Sequence, residues 1–322
     1  LQVDAIGTAA GTEGLFTAVY DRMMKCEGDP PAATLLLGAD SLPIQAEKEL
    51  YDLAQWCRER GELATRILNT PSPRLAEQLT HGRVPLGNGD WGELQYRFQA
   101  HLKRYGHSFY DLDFAKPLPV DDPQPLLEAL KLFLRGEGTD PHERQQKAVE
   151  RREAAIEATS RRVRGLKRRL FRWTLRWAQR FALVREDSIF DIGLSYPVLR
   201  GLLLELGRRL AQSRVIAKAT DIFWLERAEV ERVSVVLDCH GMPEGLAQRV
   251  EERRATWQSE KRATPPQQLP PKGRVMGIKT DAFMAVDAEE QTGDVLKGVA
   301  ASPGQVTSRA RVLLGPEDFQ YM

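Results

Sequence analysis

A basic segment, residues 161–185, limits the possible folds of this chain more than any other stretch does. It contains ten Lys or Arg residues and no acidic residue. Its large apolar residues recur in steps of three and four, which is the spacing of one face of an α-helix. They are Val163, Leu166, Leu170, Trp173, Trp177, Phe181 and Val184. The pattern predicts an amphipathic helix with a buried aromatic face and solvated arginines.

The arginines of residues 161–185 form a basic face, and whether Trp173, Trp177 and Phe181 are buried decides which kind of partner this face can bind. Phe171 and Leu175 fall on another side of the helix and predict a smaller contact. Nucleic-acid binding favours exposed aromatic rings between basic residues, so rings packed in a core do not predict it. An acidic partner or phosphate-binding face stays open, because residues 1–140 carry a net charge of −7 and the remainder +8.

Helical spacing of apolar residues continues through most of the chain. One pattern runs with little interruption from about Pro141 to about Val184. After the Pro-rich segment 263–273, Val, Gly and alternating residues are typical of strands. The predicted fold class is mainly α: a multi-helix domain with long antiparallel helices over residues 1–262, a linker at 263–273, and a small β-containing C-terminal segment over residues 274–322.

Composition excludes several classes of protein. Apolar residues make up 42% and charged residues 28% of the chain, which is typical of globular proteins. No apolar run reaches the roughly 20 residues that span a bilayer, and the start lacks the features of a signal peptide. Three scattered cysteines fit a reducing compartment, and five histidines form no metal-binding spacing. We therefore expect a cytoplasmic protein without a metal site, and the start at Leu1 suggests part of a longer chain.

Three segments, in order, resemble one family. They are FQAHLKRYGHSFYDLDFAKPLPVDDP (residues 98–123), VREDSIF with the helix that follows (residues 184–230), and GVAASPGQVTSRARVLLGPEDF (residues 298–319). They are similar to the dikinase-type phosphotransferases that use phosphoenolpyruvate, a group that includes phosphoenolpyruvate synthase and rifampicin phosphotransferase. The resemblance implies an ATP-grasp domain, a helical acceptor-binding domain and a mobile phosphohistidine domain, whose start would be residues 274–322.

The resemblance also implies a role for this chain. It would be the acceptor-binding middle of an ATP-dependent phosphotransferase that relays a phosphoryl group through a histidine to pyruvate or a rifamycin-like hydroxyl compound. The histidine lies beyond Met322 in this family, and ATP and Mg²⁺ are expected on the other domains, so this region alone should be inactive. Another possibility is a non-catalytic helical scaffold, or a protein-interaction module that uses the basic face of residues 161–185.

Five polar residues are candidates for the acceptor site. Arg185 and Glu186 match the family's Arg-Glu pair, in which arginine neutralises phosphoryl charge and the carboxylate orients or deprotonates a hydroxyl; a salt bridge between two helices is the simpler reading. Where related members have a lysine, this chain has Ile189. His107 could supply hydrogen bonding or acid–base chemistry. Asp111 and Asp113 could bind Mg²⁺, although turn formation is the more common role.

Apolar residues are expected to complete the pocket. Small-molecule sites are mostly apolar with a few polar groups. The predicted lining residues are Phe16, Tyr20, Met24, Phe109, Phe190 and Trp224.

Overall fold

The described part of the chain is mainly helical, as predicted. The computed structural model describes residues 2–80, 89–108, 113, 115–239, 241 and 245–261, and the backbone of 274–275 and 278–279. Within these ranges there are eleven α-helices: α1 (Gln2–Met23), α2 (Leu42–Arg58), α3 (Gly61–Asn69), α4 (Ser72–Thr80), α5 (Gly89–Tyr105), α6 (Gln124–Arg135), α7 (Pro141–Arg162), α8 (Gly165–Ile192), α9 (Tyr196–Gln212), α10 (Arg227–Asp238) and α11 (Ala247–Glu260).

Shorter elements complete the described chain. Three 3-10 helices lie at Ala32–Leu36, Gly193–Ser195 and Ala219–Trp224. Two strands of two residues, β1 (Arg274–Val275) and β2 (Ile278–Lys279), pair antiparallel. The rest of the predicted β segment lies outside the described residues, so it stays a prediction. Residues up to Thr256 form one compact unit, and a second unit begins at Trp257.

Helices α2 to α6 enclose the first hydrophobic core. Its fully buried members include Ile67, Leu75, Leu94, Phe98, Leu127 and Leu130. Lys131 is also buried there, with its Nζ donating to the Thr70 carbonyl at 2.7 Å and to Ser72 Oγ at 2.8 Å. Ser72 in turn donates to Glu128. The buried ammonium group therefore has the hydrogen-bond partners that burial of a charge requires.

The second core joins α1 to α8 and corrects the predicted orientation of the basic helix. Phe171 is fully buried against Phe16 and Tyr20, with ring centroids 6.2 and 6.5 Å away. Leu175, Ala178 and Ala182 continue this buried face. By contrast, Trp173 is 56% and Trp177 is 42% exposed. The prediction that these rings are buried was wrong, because the small Ala178 and Ala182 give the face that packs against another helix.

The long helical pattern is also interrupted, because α7 ends at Arg162 and α8 begins at Gly165. Val163 is buried in the second core with extended backbone, and Arg164 is also extended. Gly165 has a φ of +59°, a conformation that costs glycine little. Val163, the first residue of the predicted apolar stripe, therefore lies outside α8, and the other members of the stripe lie within it.

The third core is formed by α9, α10 and α11 around Leu210, Ile222, Val233 and Val250. Beside it, Glu229 is 5% exposed and accepts hydrogen bonds from Arg253 at 2.6 Å and from Arg249 at 2.9 Å. Its carboxylate also accepts from the Glu226 backbone N–H at 2.8 Å, which caps α10. The hydrogen bond from Arg253 lowers the pKa of Glu229 to about 2.

We expect Glu229→Gln to lower the free energy of unfolding by about 2–3 kcal/mol at pH 7, since a depressed carboxylate pKa stabilises the folded state. This contribution is present above the ordinary pKa of 4.5 and is lost as the pH falls towards about 2. Urea unfolding of both proteins between pH 3 and pH 7 should show their difference shrinking below about pH 4.5. The expected loss is smaller than the full pKa shift implies, because the Arg249 side chain is about half exposed and solvent screens its interaction with Glu229.

Glu205 provides a matched control for this measurement. Its pKa is also lowered to about 2, by hydrogen bonds from Arg208 and Arg209, but its side chain is 43% exposed. Solvent screens such surface pairs, so Glu205→Gln should change stability much less. Equal losses in the free energy of unfolding for the two variants would show that burial of Glu229 adds nothing to the stabilisation by its arginine contacts.

Candidate functional site

A cavity of about 450 Å³ lies between α2, α5, α6 and α8. Its apolar walls come from α2, α6 and α8, and α5 contributes His101 and Tyr105. The apolar lining includes Leu50, Leu126, Ala129, Phe133, Ile189 and Phe190. The polar lining comprises Glu47, His101, Tyr105, Ser108 and Glu186. We call this space the central cavity; an apolar enclosure with a few polar groups is typical of small-molecule sites.

His101, on α5, is the most deeply buried titratable residue of the central cavity. It is 2% exposed, and its Nδ1 lies 3.5 Å from Oε1 of Glu49 without forming a hydrogen bond. Burial lowers the pKa of His101, and the negative charge of Glu49 opposes this effect in part. The imidazole is therefore neutral at pH 7 and can accept a proton, while the nearby carboxylate can stabilise the cation that results.

Arg185 and Glu186 lie at the cavity's edge on α8. Arg185 Nη1 pairs with Glu13 of α1 at 2.5 Å, and its Nη2 pairs with Glu186 Oε1 at 2.9 Å. Glu186 lines the central cavity, but Arg185 does not. The arginine therefore ties α1 to α8 and orients the carboxylate beside the cavity.

His107 lies behind Phe190, outside the cavity lining. The two ring centroids are 4.7 Å apart with the rings nearly perpendicular, and Phe190 itself faces the cavity. Burial lowers the pKa of His107, and Asp191 opposes the shift. Its Nε2 is buried and has no hydrogen-bond partner among the described residues. His107 therefore supports a cavity wall rather than forming one.

Asp113 lines a smaller cavity of about 200 Å³ next to the central one. The two cavities share Ser108, Leu126 and Ala129. Asp113 Oδ1 accepts a hydrogen bond from the Ala115 backbone N–H at 2.9 Å, which is a local turn contact. Asp111 lies outside the described residues. Across the described ranges, no cluster of three His, Cys, Asp or Glu residues is arranged to hold a metal ion.

The predicted apolar residues are divided between different parts of the molecule. Phe190 lines the central cavity, and Phe109 lies outside the described residues. Phe16, Tyr20 and Met24 belong to the core between α1 and α8. Trp224 packs beside the third core, with the Arg254 guanidinium 5.6 Å from its ring centroid. The structure therefore brings Glu186 and Phe190 together and places the other described apolar candidates elsewhere.

Sequence reasoning missed His101 and Tyr105. Both follow the apolar stripe that contains Phe98 and Leu102, and the two rings lie 5.1 Å apart in the structure. A histidine three residues after a core phenylalanine faces the same side of a helix, and this position was the available signal.

None of the helices in the described ranges combines the length and apolar content needed to cross a bilayer.

Comparisons with known proteins agree with the earlier resemblance. Residues 7–186 match the family described as the rifampicin phosphotransferase fourth domain. The chain is 25% identical over 297 residues to the uncharacterized phosphotransferase YvkC of Bacillus subtilis, which covers 88% of the chain and 33% of that protein. It is also 25% identical over 213 residues to chondramide synthase cmdD of Chondromyces crocatus, covering 64% of the chain and 5% of that protein. The chain thus spans a third or less of these relatives.

Proposed function

Because this chain belongs to the rifampicin phosphotransferase fourth-domain family, we propose that its central cavity binds the acceptor of a phosphoryl transfer. The supporting observation is that Glu186 of the family's Arg-Glu pair lines the same cavity as the buried His101. An acceptor held there meets an apolar wall and two groups capable of proton transfer. In this proposal ATP and Mg²⁺ bind to other domains of the complete enzyme, and the phosphoryl group arrives on their histidine.

The size of the cavity favours one kind of acceptor. At about 450 Å³ it lies in the range of roughly 300–1,000 Å³ that is typical for drug-sized ligands. Pyruvate would leave most of this space empty and would place its carboxylate near Glu47 and Glu186. An apolar hydroxyl compound fits both the volume and the charge of the lining. Ile189, at the position where the resemblance implies a lysine, adds to the apolar wall.

His101 and Glu186 have separate roles in the proposed transfer. The acceptor oxygen forms a bond to phosphorus as the bond between phosphorus and the donor histidine nitrogen breaks. His101 takes the hydroxyl proton, and Glu49 stabilises the imidazolium. Glu186, held by Arg185 at 2.9 Å, accepts a hydrogen bond that orients the acceptor. Because His101 accepts the proton and Glu186 orients the acceptor, the step needs no proton acceptor from outside the cavity.

Ala129→Trp tests whether the cavity is the binding site. Ala129 lines the space, so an indole at this position should weaken the binding of rifampicin, used as the probe, by at least about tenfold through steric exclusion. Equilibrium dialysis of the full chain against rifampicin measures this change, and pyruvate serves as the small probe. Ala100→Trp, on the exposed side of α5, is the matched control and should bind as the parent does.

Three results of this experiment would contradict the proposal. Binding of rifampicin that is unchanged in Ala129→Trp places the ligand elsewhere. No binding of rifampicin to the parent removes rifamycin-sized acceptors from the proposal. Binding of pyruvate alone, lost in Ala129→Trp, would keep the cavity as the site but overturn the inferred acceptor class.

A further inference from the structure

The exposed side of α8 carries an unusual combination of rings and charges. Trp173 and Trp177 are 56% and 42% exposed, and Leu166 is 82% exposed. With the half-buried Phe181 and the exposed Val184, these residues follow one another in steps of seven, four, four and three, which places them on one side of a helix. We call these five residues the aromatic seam. It lies on a side of α8 other than the Phe171 face and has no described element packed on it that would bury its two indoles.

Three arginines follow one edge of the aromatic seam. At about 100° per residue around an α-helix, Arg169, Arg176 and Arg180 lie next to each other and beside the seam. All three are exposed, and within the described residues none forms an ion pair. Other arginines of the described residues do pair with carboxylates, for example Arg162 with Asp29 at 2.5 Å and Arg253 with Glu229 at 2.6 Å. A partner's carboxylates would pair with Arg169, Arg176 and Arg180 in the same way.

The rings themselves favour a protein partner over single-stranded nucleic acid. Trp177 and Phe181 are nearly parallel, with an interplanar angle of 15° and centroids 5.6 Å apart, and Trp173 lies 6.3 Å from Trp177. Trp177 and Phe181 therefore cover part of each other's faces, which are the surfaces that a stacked base needs, and Trp173 is tilted by 60° to Trp177, so the three rings do not form one flat stacking platform. The gaps between successive rings are suited instead to side chains from a facing helix.

The charges favour a partner different from this chain. A second copy that placed its own aromatic seam here would bring a second row of arginines beside Arg169, Arg176 and Arg180, and like charges across an interface are unfavourable. Carboxylates in the same positions would form the missing ion pairs. From Leu166 to Val184 the seam is about 27 Å long at 1.5 Å per residue, which matches a facing helix of about five turns.

We propose that the aromatic seam of α8 docks an acidic amphipathic helix of a partner protein. Apolar residues of that helix pack between Trp173, Trp177 and Phe181, and its Asp or Glu residues pair with Arg169, Arg176 and Arg180. This surface is separate from the central cavity, which takes Glu186, Ile189 and Phe190 of the same helix. The proposal therefore does not depend on the nature of the acceptor.

A designed peptide tests the proposal directly. The probe is a fluorescently labelled 21-residue helix with Leu at every a and d position and Glu at the flanking e and g positions; its control has Lys at e and g. Fluorescence anisotropy with the full chain should show binding of the Glu peptide at least about tenfold tighter than that of the Lys peptide. Binding of the Glu peptide should fall at least about tenfold in Trp173→Ser/Trp177→Ser, since such rings often dominate interfaces.

Charge variants and controls separate the two parts of the surface. Arg169→Glu/Arg176→Glu/Arg180→Glu should reverse the preference, so that the Lys peptide binds better. Tyr96→Ser removes a ring that is 60% exposed on α5, and Arg232→Glu reverses an exposed charge on α10; neither should change binding. Because all of these positions are exposed, we expect every variant to keep the parent's circular dichroism spectrum and melting temperature.

Several outcomes would overturn the proposal. Equal affinity for the two peptides, or undiminished binding in the tryptophan variant, removes the docking surface. Tighter binding to phosphatidylserine vesicles or to a 20-nucleotide oligothymidine than to the Glu peptide, lost with the same arginines, assigns the surface to a membrane or to nucleic acid. Dimers in sedimentation velocity that Trp173→Ser/Trp177→Ser dissociates would assign it to a second copy of the chain.

Discussion

Alanine in place of Phe171 is expected to lower the free energy of unfolding by about 3–5 kcal/mol, the usual cost of removing a fully buried phenylalanine. The ring is 0% exposed and contacts both Phe16 and Tyr20. Its removal leaves a cavity between α1 and α8 and takes away part of the packing that holds the first helix against α8. Urea denaturation followed by circular dichroism at 222 nm measures the loss.

Trp177→Ala is the matched control on the same helix. It removes a larger ring, but this ring is 42% exposed. Exposed positions usually change stability by only about 0.5 kcal/mol, so the loss should be well below that of Phe171→Ala. A loss for Trp177→Ala equal to that for Phe171→Ala would contradict the orientation of α8. The pair therefore distinguishes the face that the structure buries from the face that the pattern of large residues indicates.

His101→Gln in the complete phosphotransferase should slow acceptor phosphorylation by about 100- to 10,000-fold, the range for loss of a general base. Under the proposed function, phosphorylation of the donor histidine by ATP should not change, because the proposal gives the central cavity no part in that half-reaction. Rapid-quench measurement of each half-reaction separates the two rates. Glutamine keeps a polar side chain of similar size, so the variant should fold, and a melting temperature near the parent's checks this.

The pH dependence gives a second readout for His101. Burial places its pKa below the ordinary value of 6.5, so the parent's rate should fall as the pH falls through that lowered pKa and the imidazole becomes protonated. His101→Gln should lose this limb of the profile. His142→Gln, which removes an exposed histidine 2.8 Å from Asp52, should keep the parent's rate and profile. Equal effects of the two variants, or loss of both half-reactions in His101→Gln, would remove His101 from the proposed step.

The helical class was predictable because the signals for it are local. Apolar spacing, Asp140 as a cap whose side chain accepts from His142 N–H at 2.8 Å, and Pro141 at the first position of α7 all act within one turn of helix. The family was predictable for a different reason, because short segments of this sequence resemble the family's motifs although the overall identity to YvkC is only 25%.

The orientation of α8 was not predictable from residue size. Large rings gain the most from burial, so Trp173 and Trp177 were assigned to the core. The structure instead buries Phe171 together with Ala178 and Ala182, because close approach of two helices favours small residues as well as large ones. The packing of α1 decides whether the Phe171 face or the tryptophan face of α8 is buried. Phe16 of α1 lies 155 positions before Phe171 in the sequence, so no local pattern shows this contact.

The site was predictable in part. The motif identified Glu186, and apolar character identified Phe190, and both line the central cavity. The ion-pair partner of Arg185 could not be predicted from the sequence, because Glu13 is 172 positions away. His101 looked like an ordinary core position, since its environment depends on Glu49 of another helix. Such pairings across helices carry no local signal in a single sequence.

The packing of α1 against α8 has a consequence for synthesis of the chain. Translation proceeds at about 5–20 residues per second, so Phe16 and Tyr20 leave the ribosome roughly 10–30 seconds before Phe171 does. During that interval the nascent first helix has no long-range partner from α8 and exposes its aromatic residues. The second core is therefore complete only after α8, which ends at Ile192, has been synthesised.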